Sequence, residues 1–293
     1  MTFKKILCPI DFSTGSQHAL AAAIQLAGET KAELVIAHAF YIPPSAFAGQ
    51  FILPPNAVQE MVEASDKELD DAVALAKKAG VNVSRTLVQD LPWTAIVQLL
   101  EHQGFDLCVV GTHGRTGLAR VLLGSVTEKV LRHSPCSVLV VRPDGLPLHI
   151  AHALVPTDFS SSAERALNAA AELVGPVGAI TLLNVAEFPI GLPAEVSFVD
   201  YSARMQRDAA DDLRTLAGRI GEHSSIAIQT TSRLGSPGAQ TLALLDADPT
   251  IDIVVMGSHG RTGLKRFLLG SVAEKVVRHA RTPVLVIRDG KRE

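Results

Sequence analysis

The chain has 293 residues, of which 47% are hydrophobic and 19% charged, with a formal net charge of -3. That composition can bury a sizeable core and argues against a disordered chain, and the slightly acidic balance argues against nucleic acid as a general partner. No stretch approaches the roughly 18 uninterrupted apolar residues of a membrane helix, and the apolar run after Lys4 and Lys5 stops at Asp11, too early for a secretory leader.

A soluble, cytoplasmic protein with no membrane partner is therefore expected. The length suggests about two domains.

In chain order, KILCPI (5–10) is a short apolar run ended by turn chemistry and reads as a buried strand. Ser13 or Thr14 caps the next helix, whose inner face carries Ala19, Ala22, Ala23, Leu26 and Ala27. ELVIAHAF (33–40) is the second strand, and 57–79 is a long amphipathic helix ended by Gly80. VNVSRTLV (81–88) is the third strand, and a helix starts near Pro92. FDLCVVG (105–111) is the fourth strand, followed by a glycine-rich loop, a helix over 125–133 and a fifth strand over 137–142.

The same order then repeats. Asp11 in PIDFS corresponds to Asp158 in PTDFS, and SVLVVR (137–142) to PVLVIR (283–288). From Gly111 and from Gly257, 23 residues align without a gap and 18 are identical. The chain thus reads as two copies of one domain, 1–143 and 150–293, joined by PDGLPLH (143–149), where Pro and Gly discourage regular structure. Alternating strands and helices give an α/β class with a doubly wound parallel sheet in each copy. The proline-rich stretches 41–55 and 187–195 read as loops after each second strand.

Cys8, Cys108 and Cys136 are an odd count confined to the first copy and lack Cys-x-x-Cys spacing. They read as small apolar core residues rather than a disulfide or metal framework.

The chemistry concentrates in the glycine loop. Its spacing is Gly111, two residues, Gly114, nine residues, Gly124-Ser125, and again Gly257, Gly260 and Gly270-Ser271. Glycine admits close backbone approach, and Gly-Ser opens a helix whose N-terminal N–H groups and dipole suit phosphate. Arg115, Arg120, Arg261, Lys265 and Arg266 in the loop can pair with phosphate. The pattern is not a P-loop, since no Gly-Lys-Ser/Thr occurs. It is not the dinucleotide fingerprint, which follows the first strand. His113 and His259 lie inside the loops, where shaping the loop or bonding phosphate fits better than catalysis, because no paired base and nucleophile accompanies them.

With PIDFS at 9–13, PTDFS at 156–160 and both glycine loops, the chain resembles the universal stress protein family in its tandem, ATP-binding form. The resemblance covers nearly the whole chain, twice. It implies a Rossmann-like five-stranded sheet of order 3-2-1-4-5 in each copy, with the fifth strands paired in an intramolecular pseudo-dimer. It implies ATP at Pro9, Ile10 and Asp11 and at Pro156, Thr157 and Asp158, with Ala39 and Val185 presenting backbone to adenine and Val110 and Met256 near ribose and base. Gly111, Gly114, Gly124, Ser125 and Val126, and Gly257, Gly260, Gly270, Ser271 and Val272, would cradle ribose and phosphates. Asp11 and Asp158 could also help hold Mg²⁺ on those phosphates.

The resulting expectation is a stress-response module binding adenine nucleotide at two sites, with any hydrolysis slow. The rivals are a Mg-dependent ATPase or nucleotidyl transferase, and an interaction module independent of nucleotide. The sequence names no downstream protein partner and does not decide whether the tandem chain forms a homodimer.

Overall fold

A computed structural model describes residues 3–43, 54, 56–112, 123–142, 148, 150–187, 198–221, 225–260 and 269–288. The chain divides into two compact units, Thr2–Pro147 and Leu148–Asp289.

The first unit runs β1 (Lys5–Pro9), α1 (Thr14–Thr30), β2 (Glu33–Phe40), α2 (Ala57–Lys78), β3 (Val83–Gln89), α3 (Pro92–His102), β4 (Leu107–Gly111), α4 (Ser125–His133) and β5 (Ser137–Val141). All strand pairings are parallel, in the order β3-β2-β1-β4-β5. The second unit repeats this with β6 (His152–Thr157), α5 (Ser161–Val174), β7 (Ala179–Ala186), α6 (Phe198–Gly221), β8 (Ala227–Leu234), α7 (Pro237–Ala247), β9 (Ile253–Gly257), α8 (Ser271–His279) and β10 (Val284–Ile287). Its order is β8-β7-β6-β9-β10, again parallel.

The central strands are apolar along their length because helices cover both faces of a parallel sheet. Ile6, Leu7, Cys8, Leu107, Cys108 and Val109 are all fully buried. Alanines let α1 lie close to the sheet, and Ala19, Ala22, Ala23, Leu26 and Ala27 are its buried face, as expected. The edge strand β3 instead exposes Ser84 and Arg85.

β4 begins at Leu107, two residues later than the sequence suggests; just before it, the Asp106 N–H donates to the Lys5 carbonyl at 2.9 Å. Asp106 Oδ2 accepts from the N–H groups of Lys4 and Lys5 at 2.7 and 2.9 Å. Asp252 does the same for Ala151 and His152 at 2.9 Å each. These carboxylates align the first and fourth strands of each unit. The three cysteines are free and buried. Most of the 41–55 and 187–195 loops and of the 143–149 joint lies outside the described residues, as do His113, Gly114, Arg115, Arg120, Arg261, Lys265 and Arg266.

Candidate functional site at the sheet switch points

In each unit the strand order reverses between the first and fourth strands, the place where open α/β sheets bind ligands beyond their C-terminal strand ends. β1 and β4 are neighbours there, as are β6 and β9. Pro9 and Pro156 stand at or next to the ends of the first strands, and Gly111 and Gly257 end the fourth.

The turn after the first strand is built alike in both copies. Asp11 Oδ1 accepts from the Ser13 N–H at 3.1 Å and from Ser13 Oγ at 2.5 Å. Asp158 Oδ1 accepts from the Ser160 N–H at 3.1 Å. Between them Phe12 and Phe159 take φ values of 64° and 63°, a left-handed conformation uncommon outside glycine. Aspartate bonds its own backbone two residues on, which supports such a bend. The serines also cap the following helices: Ser13 Oγ accepts from the Ser16 N–H, and Ser160 Oγ from the Ala163 N–H, both at 3.3 Å. The N-termini of α1 and α5 are thereby partly satisfied from within.

A buried polar side chain on the second strand braces this turn. His38 Nδ1–H donates to the Ile10 carbonyl at 2.7 Å, and the Phe12 ring lies 4.4 Å from the imidazole, centroid to centroid. In the second unit Asn184 Nδ2 donates to the Thr157 carbonyl at 2.9 Å. Sequence reasoning missed both residues. The available signal was a histidine or asparagine at the sixth position of a mostly apolar strand, in ELVIAHAF and again in AITLLNVA.

The second strand also outruns the first. Pairing with β1 ends at Pro9–Ala37, and Ile10 N–H then reaches the Ala37 carbonyl at 2.8 Å. Alternation along the strand aims the Ala39 N–H and C=O to that same side, past the end of β1. Val185 holds the matching position in β7.

The glycines serve two different ends. A Cβ on Gly111 would stand 2.4 Å from the Gly15 carbonyl oxygen in the first turn of α1. One on Gly257 would stand 2.4 Å from Ser162 Oγ in α5. Both residues are therefore glycine because a helix packs onto the strand end, whatever else approaches. Gly260 differs, since its Cβ would stand 2.7 Å from Asp158 Oδ2. That contact brings the turn after the first strand and the loop after the fourth together. Beside it, Ser258 Oγ and His259 Nδ1 are 2.7 Å apart.

Gly124 and Gly270 shape the far end of the loop. Their N–H groups donate to the Thr112 and Ser258 carbonyls, each at 2.8 Å, so these N–H groups are engaged within the protein. Thr127 Oγ1 adds a bond to the Gly111 carbonyl at 2.7 Å, where the second unit has Ala273. Without side chains, Gly124 and Gly270 provide no cap for α4 and α8. Among the described residues the N–H groups of Ser125, Val126, Ser271 and Val272 consequently have no partner, and they project from the helix ends. Such an end attracts an anion.

Val110 and Met256 are buried, so ligand contact there would run mainly through backbone. Among the described residues no group of three or more His, Cys, Asp or Glu side chains is placed to hold a metal ion. No helix among the described residues is long and apolar enough to cross a membrane.

Comparison with known proteins points one way. The sequence model of the universal stress protein family matches residues 2–142 and again 149–288. The universal stress protein Rv2623 of Mycobacterium tuberculosis is 30% identical over 299 residues, covering 97% of this chain and 96% of that protein. The universal stress protein MJ0531 of Methanocaldococcus jannaschii is 35% identical over 145 residues, covering 48% of this chain and 82% of that one. The fold is shared with the crystal structure of a universal stress protein from Archaeoglobus fulgidus, with a TM-score of 0.72, 22% identity and 98% of each chain covered.

Proposed function

This chain belongs to the universal stress protein family in both of its halves, and on that premise we propose that each half binds one ATP and that occupancy sets the state of a regulatory or protective module. The observation that carries the reading is the contrast between helix ends. α1 and α5 are capped by Ser13 and Ser160, whereas α4 and α8 open with bare glycines and with N–H groups that have no partner among the described residues. A built anion site beside a carboxylate turn fits a phosphate chain.

In this reading the triphosphate lies at the Ser125–Val126 and Ser271–Val272 ends, and Gly114, His113 and Arg115, or Gly260, His259 and Arg261, contribute to binding it. Gly111 and Gly257 border the ribose. The adenine edge meets backbone at Ala39 or Val185, near Ile10 or Thr157. Asp11 and Asp158 would give one carboxylate each to Mg²⁺ carried by the phosphates; when bound, the ion would neutralise phosphate charge. Binding biases the module only through different affinity for its two states.

Isothermal titration of MgATP into protein stripped of nucleotide tests this. Two equivalents bound per chain are expected. No binding to intact protein would overturn the reading, and one equivalent would restrict it to one half.

A further inference from the structure

The two copies differ sharply on the side of the sheet where the third and fourth helices of each unit pack together. In the first unit Trp93, in the first turn of α3, fills the seam against α4. Its ring lies 5.7 Å from the His133 ring, and Lys129 Nζ sits 4.9 Å from the indole centroid. The second unit keeps both partners as Lys275 and His279 but has Gly238 in place of the tryptophan. The Lys275 stem collapses toward Gly238, where an added Cβ would meet its Cδ at 2.9 Å.

Beyond that point the seam is open. An open groove of about 370 Å³ lies between α7 and α8, lined by Leu242, Leu245, Asp246, Lys275, His279 and Arg281, the four polar side chains being exposed at its rim. Leu242 and Leu245 are only half-buried there, whereas their counterparts Val97 and Leu100 are buried in the first unit. Arg281 replaces Pro135, so this copy lost a ring and gained a cation. None of the Asp246, Lys275, His279 and Arg281 side chains has a hydrogen-bond or ion-pair partner among the described residues. Two cations, Lys275 and Arg281, against one carboxylate favour a negatively charged guest.

We infer that the α7–α8 seam is a second ligand site, separate from the nucleotide crevice, that takes a small planar aromatic carboxylate. The ring lies on Leu242 and Leu245 beside His279, as the Trp93 ring does beside His133. Its carboxylate meets Arg281 and Lys275, the guanidinium being suited to paired hydrogen bonds. The volume falls at the small end of ligand sites and suits a bicyclic ring.

Indole-3-acetate is the probe, titrated into the full chain and followed by amide chemical shifts and calorimetry. Saturable binding is expected, with shifts confined to α7 and α8. Gly238→Trp should abolish it by rebuilding the first unit's packing, and Arg281→Ser should weaken it about tenfold or more, the scale of one charge-assisted contact. Because a variant can fail to fold, both are read beside a thermal melt. Indole itself is titrated as well, and it should bind at least tenfold more weakly than indole-3-acetate. No saturable binding by wild-type protein, shifts elsewhere, unchanged affinity in folded Gly238→Trp, or equal affinity for indole would each overturn the assignment. MgATP titration of the same samples reports the nucleotide reading independently.

Discussion

Gly260 faces the carboxylate of Asp158 so closely that a single added methyl group would stand 2.7 Å from Oδ2. A side chain at residue 260 would have to displace that carboxylate from between the loop after the fourth strand and the turn after the first. Gly260→Ala should therefore push the two motifs apart. Calorimetric stoichiometry for MgATP is expected to fall from two equivalents to one, with the melting temperature little changed. Two full equivalents would show that the contact does not matter for binding.

The bare ends of α4 and α8 permit a sharper substitution. Proline is tolerated in the first helical position and removes an N–H that the helix does not use. The preceding glycines are already extended, with φ near -60° and ψ near 145°, as a residue before proline requires. Ser125→Pro with Ser271→Pro should preserve the fold by circular dichroism yet weaken MgATP binding by about tenfold per site, the scale of one hydrogen bond to a charged group. Ser125→Ala with Ser271→Ala separates loss of the hydroxyl from loss of the N–H.

Gly111 should respond in stability rather than in affinity alone. Its missing Cβ is displaced by a backbone carbonyl of α1, 2.4 Å away, which cannot rotate aside. Gly111→Ala is expected to cost about 1–3 kcal/mol as overpacking, read by denaturant unfolding. In the second unit the obstacle is the Ser162 side chain, so Gly257→Ala should be partly rescued by Ser162→Gly, which restores the first unit's pairing of Gly111 with Gly15. An additive double variant would refute this origin for the two glycines.

His38 and Asn184 do one task with different chemistry. His38→Ala leaves the buried Ile10 carbonyl without its donor and should cost about 1–3 kcal/mol. His38→Asn, copying the second unit, should recover a good part of that in the same unfolding experiment. Equal loss in both variants would remove the bracing role.

Burial raises the Cys8 thiol far above its ordinary range, and burial also raises Cys108. The folded state therefore holds neutral thiols where the unfolded chain ionises near pH 8.5. The folded chain then binds more protons than the unfolded chain, and stability is lost as pH rises above about 8.5. Each such thiol contributes a slope of about 1.4 kcal/mol per pH unit. Denaturant unfolding between pH 7.5 and 10 should show this decline, shallower in Cys8→Val with Cys108→Val, which installs the second unit's Val155 and Val254. An unchanged slope in that variant would place the effect elsewhere.

The sequence by itself determined the repeat, the parallel α/β class and most element positions. β2 and α4 match residue for residue, because continuous apolar strands, alanine-rich helix faces and serine caps are local signals that tertiary structure had no reason to override. It also marked both motifs by their recurrence. It did not separate the roles of the glycines, since nothing local tells Gly111, closed off by a helix turn, from Gly260, closed off by a carboxylate. Nor did it announce the left-handed Phe12 and Phe159, for phenylalanine carries no preference for that conformation. Only the tertiary structure decided those points, along with the bracing by His38 and Asn184 and the opening beside Gly238. Each depends on which atoms from distant segments compete for the same few ångströms, and that competition exists only once the strands are side by side.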